Sequence, residues 1–183
     1  MRVNQIESGD YVKIEGRVFK VLETTHSHLG RGGANLELKL QDVLKGNVIR
    51  RNFKPDEEIE YVEIEKKEIY FAYFKGNSCF FKDQQGKFLE IDCNLIEEKV
   101  KFLKKDLKVT GIFLDEELLT IELPIKVVYE VKESPPGVRG NTAQGGSKVV
   151  ICENGLEVSV PLFIEVGDKI IVNTQTGEYV SKI

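Results

Sequence analysis

The chain of 183 residues has no tryptophan, one methionine, two histidines, three cysteines and five prolines, and these scarcities close off whole classes of structure. Cys79, Cys93 and Cys152 form an odd set without C-x-x-C spacing. Neither a disulfide framework nor a zinc site of ordinary form is written in them, and reduced, mostly buried thiols are the expectation. His26 and His28 fall on one face of a strand, but no third ligand stands nearby, so no metal centre and no cofactor are expected. No run approaches the roughly 20 apolar residues of a membrane span, and Met1 to Glu7 lack the apolar stretch of a secretory signal. A cytoplasmic protein without membrane contact is the expectation. A general basic coat is missing too: net charge is -4, which by itself argues mildly against broad affinity for nucleic acid.

That average hides an asymmetry. Residues 1–54 hold 10 Lys/Arg against 6 Asp/Glu, whereas residues 55–183 hold 16 against 24. The N-terminal third is the basic end. Period-two alternation dominates the chain, as in Leu36, Leu38 and Leu40 set against Glu37 and Lys39, and predicts half-buried strands. Turn signals recur at Glu15-Gly16, Lys45-Gly46, Gly76-Asn77, Gln85-Gly86, Asn154-Gly155 and Thr176-Gly177. Many short strands with such punctuation predict an all-β protein of small barrels, since closure removes exposed edges. One segment breaks the pattern: Leu95, Ile96, Val100 and Leu103 have helical spacing behind Asn94, a candidate N-cap, which predicts a single short helix over 95–104 that plugs a barrel end. The charged run from Asp56 to Lys67, and Pro124 after the strand-like Leu118 to Leu123, mark two junctions. Cutting there gives three pieces, 1–63, 64–127 and 128–183.

Between two alternating segments lies Leu29-Gly30-Arg31-Gly32-Gly33-Ala34. Gly30 and Gly32 let the backbone pass without side-chain collisions, Gly33 adds a further small position, and Arg31 supplies one permanently charged guanidinium. Taken alone, such a loop is an ordinary glycine hairpin with a solvated arginine. A nucleotide phosphate cradle needs its glycines to open a helix, but these lead into the strand-like Asn35 to Leu40, which disfavours nucleotide hydrolysis. Asp115, Glu116 and Glu117 read as solvated turn residues rather than an acid/base pair. No catalytic residue is expected, and the chain does not read as an enzyme.

The stretch Gly155-Leu156-Glu157-Val158-Ser159-Val160-Pro161-Leu162-Phe163-Ile164-Glu165-Val166-Gly167-Asp168-Lys169-Ile170, continuing through Asn173-Thr174-Gln175-Thr176-Gly177-Glu178-Tyr179, resembles the signature of the bacterial elongation factor P family. The glycine–arginine loop, Leu40 with Leu44 to Gly46, Val131 to Asn141, and Tyr179 to Lys182 also fall where that family has counterparts. The resemblance implies an SH3-like (KOW-like) N-terminal domain over 1–63 and two OB-fold domains over 64–127 and 128–183, arranged in an L that imitates tRNA. It implies a monomeric translation elongation factor that binds the bacterial ribosome beside the P-site peptidyl-tRNA and relieves stalling at consecutive prolines by positioning the CCA end. Ribosomal RNA would supply the chemistry. Arg31 stands where the family holds a modified Lys or Arg, so a modifying enzyme is an implied partner. Leu29 replaces the proline usual in the lysine type, and Gly32-Gly33 replace the Asn that usually follows a rhamnosylated arginine. The residues leave open whether Arg31 carries a sugar or stays bare. In the third domain Gly140, Asn141 and Thr142 stand where relatives commonly have Gly-Asp-Thr, in a loop near the messenger at the exit site. Tyr179 and Lys182 are further candidate contacts to ribosome or RNA.

A second reading is a general single-stranded RNA-binding protein built from OB-folds, acting without the ribosome. Phe71, Tyr73, Phe74, Phe80 and Phe81 supply aromatics for it, yet alternation favours their use as hairpin core.

Overall fold

The computed structural model describes residues 1–29, 33–135 and 146–183. Fifteen strands among these residues form three five-stranded sheets, and no described helix is long and apolar enough to cross a membrane. By density of contacts the chain divides into two compact units, Met1–Lys67 with Gly111–Thr120, and Glu68–Thr110 with Ile121–Ile183.

The first sheet comprises β1 (Tyr11–Ile14), β2 (Arg17–Leu29), β3 (Gly33–Asp42), β4 (Val48–Phe53) and β5 (Glu60–Val62), in the order β4-β3-β2-β1-β5. The alternation predicted around Leu36 is present: Leu36, Leu38 and Leu40 are buried and pack with Val3, Val12, Phe19 and Val21. An extra residue, Leu22, interrupts the β2–β3 register between Val21 and Glu23. Such a bulge sharpens strand twist where a sheet must curl around a small core.

The second sheet contains β6 (Glu65–Lys75), β7 (Ser78–Lys82), β8 (Phe88–Asp92), β9 (Lys108–Leu114) and β10 (Glu117–Glu122), in the order β10-β9-β6-β7-β8. The turn between β9 and β10 uses Asp115 and Glu116, both exposed and at positive φ, as expected, whereas Glu117, also exposed, opens β10 rather than lying in the turn. The aromatic expectation needs correction. Phe71 and Phe81 are buried, but Tyr73 and Phe74 are 44% and 46% exposed. A bulge between Phe71 and Tyr73 accounts for Tyr73: Phe71 pairs with Phe81, then Tyr73 pairs with Phe80, while Phe74 pairs with buried Cys79 and packs on Phe71 at 4.6 Å. One inserted residue reverses which face the following side chains take, so Tyr73 joins Phe80 on the outer face.

Two further expectations are corrected here. Cys79 and Cys93 are not separate thiols but a disulfide, with Cα atoms 5.6 Å apart. Cys79 sits in β7 opposite Ile91 of β8, and Cys93 directly follows β8; the hairpin return brings together two residues whose linear spacing matches no motif. Cys152 is free and buried, and burial pushes its thiol up to about 11. The helix also begins earlier and is shorter than predicted. It is one α-turn, α1 (Cys93–Ile96), capped by Asp92 rather than Asn94, with the Asp92 carboxylate accepting from the Asn94 amide at 2.8 Å. Glu97 has φ of +39° and ends the α-turn, and the chain continues as a 3-10 segment, Glu97–Phe102.

The third sheet comprises β11 (Lys126–Glu133), β12 (Ser147–Cys152), β13 (Glu157–Pro161), β14 (Lys169–Asn173) and β15 (Tyr179–Lys182), in the order β13-β12-β11-β14-β15. Pro124 lies between β10 and β11, as its lack of an N–H donor predicts. The core joins Val127, Tyr129, Val131, Val158, Val160 and Ile170 with Phe102 from the 3-10 segment. That segment therefore supplies a buried ring to the core of the third sheet as well as following the middle hairpins.

Candidate functional site

Strand β2 pairs with β1 only through Arg17 to Lys20, while β4 accompanies β3 only from Leu36 to Gln41. The pairs Ser27 with Asn35, His28 with Ala34 and Leu29 with Gly33 continue beyond both. At about 3.3 Å per residue, three pairs carry this two-stranded ribbon roughly 10 Å past its neighbours. Gly33 is thus the ribbon's last described position on its returning strand. Gly30, Arg31 and Gly32 connect Leu29 to Gly33 in sequence and lie outside the described residues.

The base of the ribbon is set by apolar alternation and by arginine–carboxylate pairs. Arg17 bonds to Asp42, a carboxylate only 3% exposed. Asp42 also accepts from the amides of Leu44 and Lys45, each at 2.8 Å, fixing the turn after β3. Arg51 holds Glu15 through two bonds of 2.9 and 3.3 Å, and Arg50 holds Glu37 at 2.9 Å. The hydrogen bond and then the charge of Arg51 keep the Glu15 carboxyl below its usual range. Three acids of this sheet are therefore engaged by arginines. Lys13, Lys20 and Lys39 have no ion-pair partner among the described residues, so the basic excess of the first third is carried by lysines available to an external anion. No group of three or more His, Cys, Asp or Glu is placed to hold a metal ion among the described residues.

Of the candidates in the third domain, Gly140, Asn141 and Thr142 also lie outside the described residues. Tyr179 and Lys182 are both in β15. Tyr179 is half-buried against the core and, with Leu162 and Phe163, lines an open groove of about 820 Å³. The Lys182 ammonium lies 2.8 Å from the Asp168 carboxylate, which also accepts from the Glu165 amide at 2.9 Å. Sequence reasoning did not single out Asp168, Asp42 or Glu15. A short acid beside a turn glycine, as in Gly167-Asp168, was the available signal for such turn locking.

The long signature motif proves to be mainly architectural. Gly155, Gly167 and Gly177 have φ of +85°, +89° and +76°, a region other residues rarely adopt. Between them Val158, Val160, Ile164, Ile170 and Val172 are all buried. The motif spells out turns and core of one small sheet, a pattern that related chains must share to keep the same fold.

Comparison with known proteins agrees with that reading. The family model of the elongation factor P KOW-like domain matches residues 2–59, and that of the elongation factor P C-terminal region matches residues 127–182. The elongation factor P of Dictyoglomus turgidum is 39% identical over 184 aligned positions, covering 98% of each chain. That of Metamycoplasma arthritidis is 39% identical, covering 100% of this chain and 99% of its own. Among solved structures, eukaryotic translation initiation factor 5A from Methanococcus jannaschii matches with a TM-score of 0.51 at 17% identity, over 68% of this chain and 90% of its own, a likeness of fold alone. With sequence matches that run the length of the chain and family models at both its ends, this protein belongs to the elongation factor P family.

Proposed function

We propose that the chain acts as a translation elongation factor on the bacterial ribosome, beside the P-site peptidyl-tRNA, and speeds peptide-bond formation at consecutive prolines. In this reading three parts carry the work, 1–63, 64–127 and 128–183. The observation that carries this reading is the β2–β3 ribbon, whose pairing runs to Leu29 and Gly33, past the ends of both neighbouring strands. In this reading the Gly30-Arg31-Gly32 connection, which joins in sequence the two strands of a ribbon anchored by buried leucines, is the part that meets the tRNA. A guanidinium there pairs with phosphate or stacks on a base of the CCA end.

The mechanism requires no acid or base from the protein. Proline attacks through a constrained secondary amine and fixes its own φ, so a Pro-Pro step aligns donor and acceptor badly. Ordering the CCA end restores alignment, and each ~1.4 kcal/mol gained is about tenfold in rate. Gly140, Asn141, Thr142, Tyr179 and Lys182 form the second proposed contact region, toward the ribosome and the messenger near the exit site. Arg31 is the position on which a modifying enzyme would act.

Co-sedimentation tests the reading against its alternative, an OB-fold protein binding single-stranded RNA without the ribosome. The factor should pellet with ribosomes stalled on a Pro-Pro message and carrying peptidyl-tRNA, and should leave empty ribosomes far more readily. Equal retention on both, together with tight binding to free RNA, favours the alternative.

A further inference from the structure

The outer face of β6, β7 and β8 carries an aromatic group that the core does not use. Tyr73 and Phe80 stack with centroids 4.8 Å apart and planes 13° from parallel, and Phe88 meets Tyr73 edge-on at 5.9 Å. Phe88 is 50% exposed, and the Lys82 ammonium lies 4.9 Å from its ring centroid. Large aromatic rings contribute most to stability when buried, so three of them gathered on a solvent face call for a ligand.

The charges around the rings indicate which ligand. Lys75 and Lys82 lie on the same two hairpin strands, and Lys87 adjoins Phe88; none has an ion-pair partner among the described residues. Nearby acids are engaged in local structure. Asp92 accepts from the Asn77 side chain and the Asn94 amide, each at 2.8 Å, and Asp83 accepts from the amides of Gln85 and Lys87. Glu90, paired across from Phe80, is the acid left on the face. The outward positions of β7 are Ser78, Phe80 and Lys82, without an aliphatic residue. Flat rings flanked by flexible cations match nucleobases joined by phosphates, whereas an apolar protein surface would find few aliphatic partners here.

We propose that Tyr73, Phe80 and Phe88 form a stacking platform for one or two unpaired RNA nucleotides, with Lys82 and its neighbours taking the adjoining phosphates. The platform is built from β6, β7 and β8 and does not depend on the function proposed above. With so few bases engaged, its affinity for free RNA is weak, unlike that of a dedicated single-strand binder.

The test is a fluorescence anisotropy titration of the intact protein with a labelled oligouridine of about ten nucleotides, at two salt concentrations, beside a fully paired RNA hairpin of similar size. Tyr73→Ser and Phe88→Ser should each weaken oligouridine binding about tenfold, as loss of one stacked base predicts. Lys82→Ala should lower the salt slope by about one phosphate contact. Glu90→Gln should tighten binding, an effect no unfolded variant can imitate. The hairpin should bind less well than the single strand. Ring variants that fold and bind oligouridine normally would overturn the platform. So would equal affinity for hairpin and single strand, or no oligouridine binding at millimolar protein and low salt. Relief of stalling is not read in this assay, so its outcome leaves the ribosomal function to be judged separately.

Discussion

The hydroxyl of Tyr129 donates a 2.6 Å hydrogen bond to the backbone carbonyl of Phe102, and Tyr129 itself is fully buried. A strand of the third sheet thereby holds the end of the 3-10 segment, and burial pushes the Tyr129 phenol well above its ordinary pKa. Asn154 reinforces the contact by donating to the carbonyls of Lys101 and Leu103 at 3.0 Å each, and Lys104 pairs with Glu153 at 2.9 Å. Tyr129→Phe keeps the ring but leaves the Phe102 carbonyl without this donor. The expected loss is about 1–3 kcal/mol, read as a lower urea midpoint with an unchanged slope.

The Cys79–Cys93 disulfide closes a short loop, with the cysteines 14 residues apart. On chain-entropy grounds a loop of that length contributes about 3 kcal/mol. Reduction should lower the thermal midpoint, and the double variant Cys79→Ala/Cys93→Ala should make the midpoint insensitive to reductant. Alkylation of the unreduced native protein should spare buried Cys152 and label no other cysteine.

Asp168 gives a pH-dependent prediction. The hydrogen bond from Lys182, then that from the Glu165 amide, lower its pKa below the ordinary value. A carboxyl depressed in the folded state contributes stability above its unfolded pKa, and the contribution fades as pH falls through the folded value. The window therefore lies below about pH 4. Carboxyl-carbon NMR should place the Asp168 midpoint below that of an unperturbed aspartate, and Lys182→Met should move it upward.

Much of the architecture was legible in local pattern. Leu36, Leu38 and Leu40 announced a half-buried strand, and turn glycines such as Gly155 and Gly167 marked strand ends because few other residues accept positive φ. What escaped depended on events one or more strands away. Tyr73 changed face because a single bulged residue reset the register. Cys79 met Cys93 through a hairpin return rather than through motif spacing. Asn94 has the right chemistry for a cap, but Asp92 reaches the orphan amide first. At the candidate site, the glycine-flanked arginine was visible by composition, whereas the length of the ribbon became measurable only from the β2–β3 register against β1 and β4. Lys182 is a candidate contact by its place in the terminal motif, whereas its pairing with Asp168 depends on the fold and not on sequence spacing.

Peptide-bond formation on ribosomes halted at a Pro-Pro codon pair, timed by rapid quench with unaltered factor and with Arg31→Ala, tests the central claim most directly. The account predicts that Arg31→Ala keeps its thermal midpoint and loses most of the rate gain, tenfold or about 1.4 kcal/mol at least. A variant as fast as the unaltered factor would contradict it.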